Sequence, residues 1–465
     1  MKLTNYHSVY FIGIGGIGMS ALARWFKRNG FEVSGYDRTE TELTAELQKE
    51  GINIHFTDDV DQIPKSVKSD KEGSLIIVTP AIPARHTELK YFNRNEYTLH
   101  KRSQVLGMIA AEFYQVAVAG THGKTTTSSM IAHVLKHAGK DLTAFLGGIT
   151  TNYQSNFIAN ESQDGKAICV VEADEFDRSF LTLNPDVAVV TSADADHLDI
   201  YGDKSHLEDS FKAFIQKLKA DGKLFINDKI ADELIDENFD RSYATYGLNR
   251  GQFFASSITM NNGFFKFNYC DEQYSIDNLK LGVPGFHNVE NATVAIAVAL
   301  HLGLTPDEVR AGIESYAGVK RRFEYLLKTD KIIFVDDYAH HPTEIESFLT
   351  SLKALFPDKK VTAIFQPHLY SRTRDFAEGF SSSLDIADQV ILLDIYPARE
   401  EPIEGVTSQI ILDGMKCEDK VLISKDNLLK HLEQGDYEVV ATIGAGDIDK
   451  LVHPVKELLN RRYHA

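Results

Sequence analysis

Val118-Ala119-Gly120-Thr121-His122-Gly123-Lys124-Thr125-Thr126 lies between a β-branched run, Gln115–Val118, and a helical stretch, Thr125–His137. Strand, glycine-bearing loop and helix in that order make a phosphate-binding loop. Successive backbone N–H groups, from Gly120 to Thr126, and the positive end of the helix attract the phosphates of ATP. Lys124 reaches the β and γ oxygens, and Thr125 offers a hydroxyl to Mg²⁺. The stretch departs from G-x-x-x-x-G-K-[ST] at one place, where Val118 stands for the first glycine. A loop of this kind needs a parallel sheet behind it, so it sets the fold class as α/β.

Moving outward, two nearly continuous apolar runs follow, Ala167–Val171 and Val187–Thr191, which read as buried parallel strands. Acidic residues come directly after each: Glu172-Ala173-Asp174-Glu175, and Asp194-Ala195-Asp196-His197-Leu198-Asp199. Ligands of open α/β sheets bind at the carboxyl ends of strands, beside the phosphate loop. Mg²⁺ takes oxygen ligands, so Glu172 is the metal-binding candidate, with His197 a less usual one.

Near the N-terminus, Gly13-Ile14-Gly15-Gly16-Ile17-Gly18 matches G-x-G-x-x-G between the strand Ser8–Ile14 and a helix from Ile17 to Asn29. It suits a dinucleotide or a nucleotide diphosphate about equally, with Asp37 placed for a ribose or base contact. A merely structural tight turn is the plainer reading. Met19, Leu22 and Phe26 have helical spacing and read as core. In the last third, Asp336-Asp337-Tyr338-Ala339-His340-His341-Pro342 follows the strand Lys331–Val335. Gln366-Pro367-His368-Leu369-Tyr370-Ser371-Arg372 follows the strand Lys360–Phe365. Two strand-end loops rich in His, Tyr and Arg suit an amino acid carboxylate or a charged intermediate.

The 465 residues allow roughly three domains, with soft boundaries at 1–106, 107–317 and 318–465. An alternating aromatic region, Phe253–Tyr274, suggests an antiparallel appendage to the central sheet. Net charge is −18, which disfavours nucleic acid or an anionic membrane as the main partner. Three scattered cysteines without a CxxC pair fit a reducing compartment, and no span or leader pattern is visible; a cytoplasmic protein is expected.

Taken together, GIGGIGMSALA, GTHGKTTTSSM, VEADEFDRSF, ADHLDIYGD, VPGFHNVENA, GVKRRFEYL, VDDYAHHPTE, FQPHLYSRTRDF, LDIYPAREEPIEG and GAGD resemble the Mur ligases, in family order and across nearly the whole chain. The resemblance implies a Rossmann-like domain for a UDP-sugar, a central ATPase domain and a Rossmann-like C-terminal domain that closes over the site. It also implies ATP-dependent joining of L-alanine to the lactyl carboxylate of UDP-N-acetylmuramate through an acyl phosphate, in a monomer or homodimer. By the same resemblance Gly120 to Thr126 bind ATP, with Lys124 on the transferring phosphoryl. Thr125, Glu172 and His197 hold Mg²⁺, and His287 and Asn291 meet the adenine. Arg322 contacts ATP, and Tyr338, His340 and Arg372 serve the amino acid and phosphate, His340 also as a possible proton acceptor. Gly15, Gly16, Gly18, Asp37 and His122 meet the UDP-sugar. Leu369 stands where the family commonly has arginine, and Ser192 and Asp194 replace a common Asn and Glu. A nicotinamide-dependent dehydrogenase explains the first glycine turn but leaves GTHGKTT unused. A nucleotide-binding switch needs no third domain. Closest among ligases is one that adds a ready-made peptide.

Overall fold

The computed structural model describes residues 3–159, 167–194, 201, 204–261, 263–398 and 400–464. The chain is α/β with mostly parallel sheets. It forms two compact units. One comprises Met1–Phe254, Asp271–Tyr274 and Asn291–Gly312, and the other comprises Ala255–Cys270, Ser275–Glu290 and Ile313–Ala465.

The first unit contains two sheets. In the N-terminal one, β1 (Ser8–Ile12), β2 (Glu32–Tyr36), β3 (Asn53–His55), β4 (Ser74–Val78) and β5 (Leu99–Lys101) run parallel in the order β3-β2-β1-β4-β5. β1 ends at Ile12, two residues before the expected Ile14, because Gly13 and Ile14 turn to donate to Tyr36 O at 2.8 and 3.0 Å. The helix Ile17–Arg28 buries Met19, Leu22 and Phe26, as their spacing requires. Strand order reverses at β1, so a crevice opens between the carboxyl ends of β1 and β4.

In the second sheet β6 (Tyr114–Ala119), β7 (Leu142–Thr150), β8 (Ser155–Ala159), β9 (Ile168–Glu172), β10 (Val187–Val190), β11 (Lys223–Asn227) and β12 (Ser242–Leu248) take the order β12-β11-β10-β6-β9-β7-β8. The phosphate-loop strand β6 is therefore flanked by β10 and β9, whose ends carry the acidic runs. The sequence gives no warning that β7 and β8 form an antiparallel hairpin. Its Asn156 ties this edge to the first helix, accepting from Arg24 Nη1 at 2.5 Å and donating to Ser20 Oγ at 2.9 Å.

In the second unit β14 (Phe264–Cys270) and β15 (Ser275–Leu281) pair antiparallel next to β13 (Phe253–Asn261), so the aromatic region is the antiparallel element expected and extends to Leu281. The C-terminal sheet has the order β16-β17-β21-β18-β19-β20, formed by β16 (Glu324–Lys328), β17 (Ile333–Asp337), β18 (Val361–Phe365), β19 (Gln389–Leu393), β20 (Lys420–Ile423) and β21 (Val439–Ile443). All its pairs are parallel except β16 with β17. Asp336 and Asp337, read above as loop, close β17: both pair with β21, and their carboxylates find partners described below.

A buried polar group on the helix Thr87–Arg94 packs against the N-terminal sheet. Glu88, fully buried, accepts from Tyr10 Oη at 2.7 Å and lies 3.4 Å from His55 Nε2. Burial pushes its carboxyl up to about 7, the Tyr10 hydrogen bond offsetting only part of the shift. Between the ordinary carboxyl value and about 7 the folded chain holds a proton that the unfolded chain has released, so stability falls as pH climbs through that window. Glu88→Gln is therefore expected to melt above the parent at about pH 8 and close to it near pH 5, read by thermal denaturation at both.

Candidate functional site

Lys124 opens the helix Lys124–His137, so the loop before it aims its N–H groups along the helix axis. Gly120 has φ +136, and a Cβ there would stand 2.0 Å from Thr191 Oγ1; no other residue fits. The loop is fastened to the end of β10. His122 N donates to Ser192 Oγ at 2.8 Å, Thr121 Oγ1 lies 2.9 Å from Ser192 Oγ, and Asp194 N donates to Thr121 Oγ1 at 3.1 Å. His122 Nε2 lies 3.4 Å from Asp194 Oδ2. Ser192 and Asp194 thus brace the loop itself. Thr125 and Thr126 lie buried in the first helical turn, and Asn291 packs against Gly123.

The three acids at the end of β9 and just after it are each held by a different part of the first unit. Glu172 Oε2 accepts from Gly147 N at 3.0 Å, Asp174 Oδ2 meets Arg102 Nη2 at 3.1 Å, and Glu175 pairs with Lys124 Nζ at 2.8 and 2.9 Å. Burial alone would lower the ammonium's pKa, but Glu175, Glu172 and Asp174 outweigh it and hold Lys124 above the usual lysine value. The lysine is a fixed positive charge. Thr125, in the first turn of the helix that follows β6, and Glu172, at the end of the neighbouring β9, carry the hard oxygen donors that Mg²⁺ prefers. His197 lies outside the described residues, and among the described residues no cluster of three or more His, Cys, Asp or Glu forms a metal site.

The glycine turn stands at the head of the first helix, whose N-cap Gly16 has no side-chain cap and whose first turn carries no acid. Asp37 is turned inward: its Oδ2 accepts from Gly15 N at 2.7 Å and its Oδ1 from Thr39 N at 3.2 Å. Arg102 lies across Gly18, where a Cβ would come within 2.7 Å of Nη1. One arginine therefore touches both the glycine turn and the acidic run after β9. No motif signals Arg102 in the sequence; it follows Lys101, the last residue of β5, and opens the helix Arg102–Ala110.

In the second unit, Arg322 lies 5.0 Å over the Tyr338 ring and 3.9 Å from Glu344 Oε1. His340 Nδ1 is 3.1 Å from Tyr338 O and 3.2 Å from Glu344 Oε2, and its ring is 6.3 Å from that of His368. Asp337 takes N–H donors from Phe323 (2.7 Å) and Ala339 (2.8 Å), and burial pushes it up to about 6. Arg372 is buried in the short helix Tyr370–Asp375. The residue two before that arginine's Tyr370-Ser371 pair, His368, is followed by Leu369 at φ 69 and ψ 139, a backbone region that glycine alone adopts freely. The strain is held by Leu369 N donating to Tyr396 O at 2.9 Å and Leu369 O accepting from Thr373 N and Oγ1. His287 Nδ1 is 3.0 Å from Ser347 Oγ; burial first, then Arg322, lowers its pKa to about 4, so it is neutral. Asn291, which the resemblance pairs with it, belongs to the other unit.

Family models match three consecutive parts of the chain: "Mur ligase family, catalytic domain" over residues 8–114, "Mur ligase middle domain" over 118–299, and "Mur ligase, glutamate ligase domain" over 321–446. The chain is 47% identical over 464 residues to the UDP-N-acetylmuramate–L-alanine ligase of Cytophaga hutchinsonii, covering 100% of this chain and 99% of the relative. It is 48% identical over 463 residues to that of Flavobacterium psychrophilum, covering 99% and 100%. Among solved structures, UDP-N-acetylmuramate–alanine ligase MurC from Thermotoga maritima superposes with a TM-score of 0.81 at 30% identity, covering 98% of this chain and 99% of that one. MurF from the same organism, solved in complex with ADP, shares the fold at 17% identity, with a TM-score of 0.62 over 93% and 96% of the two chains.

Proposed function

This chain belongs to the Mur ligase family, and from that membership we propose that it joins L-alanine to the lactyl carboxylate of UDP-N-acetylmuramate while splitting ATP to ADP and phosphate, a step of peptidoglycan precursor synthesis. The observation that carries the reading is the fastened phosphate loop with its charged, buried lysine beside three carboxylates. A carboxylate is a poor electrophile, so its oxygen first attacks the γ-phosphorus; the bond to ADP breaks and an acyl phosphate forms. Lys124 stabilises charge on the transferring group, and the loop N–H groups from Gly120 to Thr126 orient it. Mg²⁺, when bound, neutralises phosphate charge, and Thr125 and Glu172 would hold it. In the second unit Arg322 and Arg372 supply positive charge for phosphate and amino acid carboxylate, and Tyr338 a polar ring. His340 takes a proton from the ammonium of L-alanine. The freed amine attacks the acyl carbon, the C–N bond forms, and phosphate departs with the C–O bonding pair and the nitrogen's second proton. Gly15, Gly16, Gly18, Asp37 and His122 serve the UDP-sugar. The three free cysteines suit a reducing, cytoplasmic setting.

The test is an assay with purified protein, ATP, Mg²⁺ and UDP-N-acetylmuramate against a panel of amino acids and a tripeptide, scored by product mass and ADP release. ADP release that requires both acid and L-alanine is expected. Product formed only with the tripeptide moves the chain to the peptide-adding ligases. Nucleotide hydrolysis without either substrate makes it a switch.

A further inference from the structure

We infer that Glu175 is a positioning residue that holds Lys124 folded onto the phosphate loop and competes with the terminal phosphate of the nucleotide for its ammonium group. This rests on the reading that the loop binds ATP. An ammonium has three N–H donors. Here the acceptors are Gly120 O at 2.5 Å, Thr121 O at 3.2 Å and the Glu175 carboxylate at 2.8 and 2.9 Å, which together use all three. A phosphate oxygen bonding to Nζ must therefore displace one of them. The two carbonyls belong to the loop that Lys124 sits on and repel an anion weakly. The carboxylate is the only full negative charge among those acceptors, and an incoming phosphate meets it as a like charge.

Glu175 cannot simply follow the lysine. Its residue is fully buried, and its backbone oxygen accepts from Tyr201 Oη at 2.5 Å. It opens the 3₁₀ turn Phe176–Thr182, which is closed by Phe180 N donating to Asp174 O at 2.9 Å and anchored by the Phe180 ring stacked at 5.0 Å on Phe214. The other two acids of the run are engaged elsewhere, Glu172 on Gly147 and Asp174 on Arg102. Glu175 alone faces the ammonium at bonding distance, delivered by a rigid turn. When nucleotide binds, Lys124 passes from this carboxylate to the phosphates, and when ADP leaves, Glu175 takes the lysine back.

The test is calorimetric titration of the full chain with ADP in the presence of Mg²⁺, comparing the parent, Glu175→Gln and Lys124→Ala. Glu175→Gln keeps shape and hydrogen bonding but removes the competing charge, and it is expected to bind ADP about tenfold more tightly, 1.4 kcal/mol by the usual conversion. The KM for ATP should fall in parallel, while those for the sugar nucleotide and L-alanine stay put. Unchanged or weaker ADP binding by Glu175→Gln overturns the inference. Parent protein that fails to bind ADP at all overturns the reading of the loop, a different result. A second measurement needs no variant: in a crystal structure of the parent with ADP, the Lys124–Glu175 contact should be broken, and a contact kept at its present length overturns the inference.

Discussion

Lys124→Ala is expected to lower the rate of substrate-dependent ADP release by about 10²–10³, the cost of losing one preorganised electrostatic donor at a transferring phosphoryl group. The lysine stands at the head of a buried helix with its ammonium fully charged, so its removal takes away a charge that water cannot replace. The helix Lys124–His137 is buried along Thr125–Leu135, beyond Lys124 itself, so the variant should remain folded. It leaves Glu175 buried without its cation, and part of that cost should appear as a lower melting temperature. Steady-state kinetics with UDP-N-acetylmuramate and L-alanine, alongside circular dichroism, separate the two effects. Near-normal turnover in a folded variant would take the loop out of the chemistry.

Arg321→Ala is expected to destabilise the second unit by about 3 kcal/mol, as removal of one partner from a buried ion pair does. Arg321 Nε lies 3.0 Å from Asp336 Oδ2, and Asp336 is 1% exposed. Arg321 Nη2 also donates to Gly444 O at 2.6 Å, joining the start of β16 to the end of β21. Burial raises the Asp336 carboxyl, while Arg321 and the Thr442 hydroxyl at 2.6 Å pull it back down. Without the arginine the folded pKa moves further up, so the loss should be larger at about pH 8 than near pH 5, where the carboxyl can take a proton. Arg321→Ala/Asp336→Asn removes the stranded charge and should recover much of the stability. Equal melting of the parent and Arg321→Ala would show that the pair contributes nothing, and equal melting of the single and double variants that the stranded carboxylate carries no cost.

The candidate site is legible where chemistry and local geometry coincide in a short stretch. Gly120, Lys124 and Thr125 announce a phosphate loop because strand, turn and helix are contiguous, and Glu172 follows because an apolar strand ends in an acid. Residues whose role depends on a distant partner were not legible. Arg102 acts by reaching Gly18 and Asp174, Ser192 by meeting Thr121 and His122, and Glu175 by meeting Lys124 across 51 positions. The β7–β8 hairpin also escaped notice, since its glycines hide the alternation that marks an edge strand.

Sequence alone determined the α/β class, the glycine turn, the phosphate loop and the family to which the chain belongs, because each depends on residues adjacent in the chain. Tertiary structure decided which charges neutralise one another: Lys124 with Glu175, Arg102 with Asp174, Arg321 with Asp336. Coulomb attraction and desolvation depend on distance and burial, and neither is written in residue order until the strands have taken their places in a sheet.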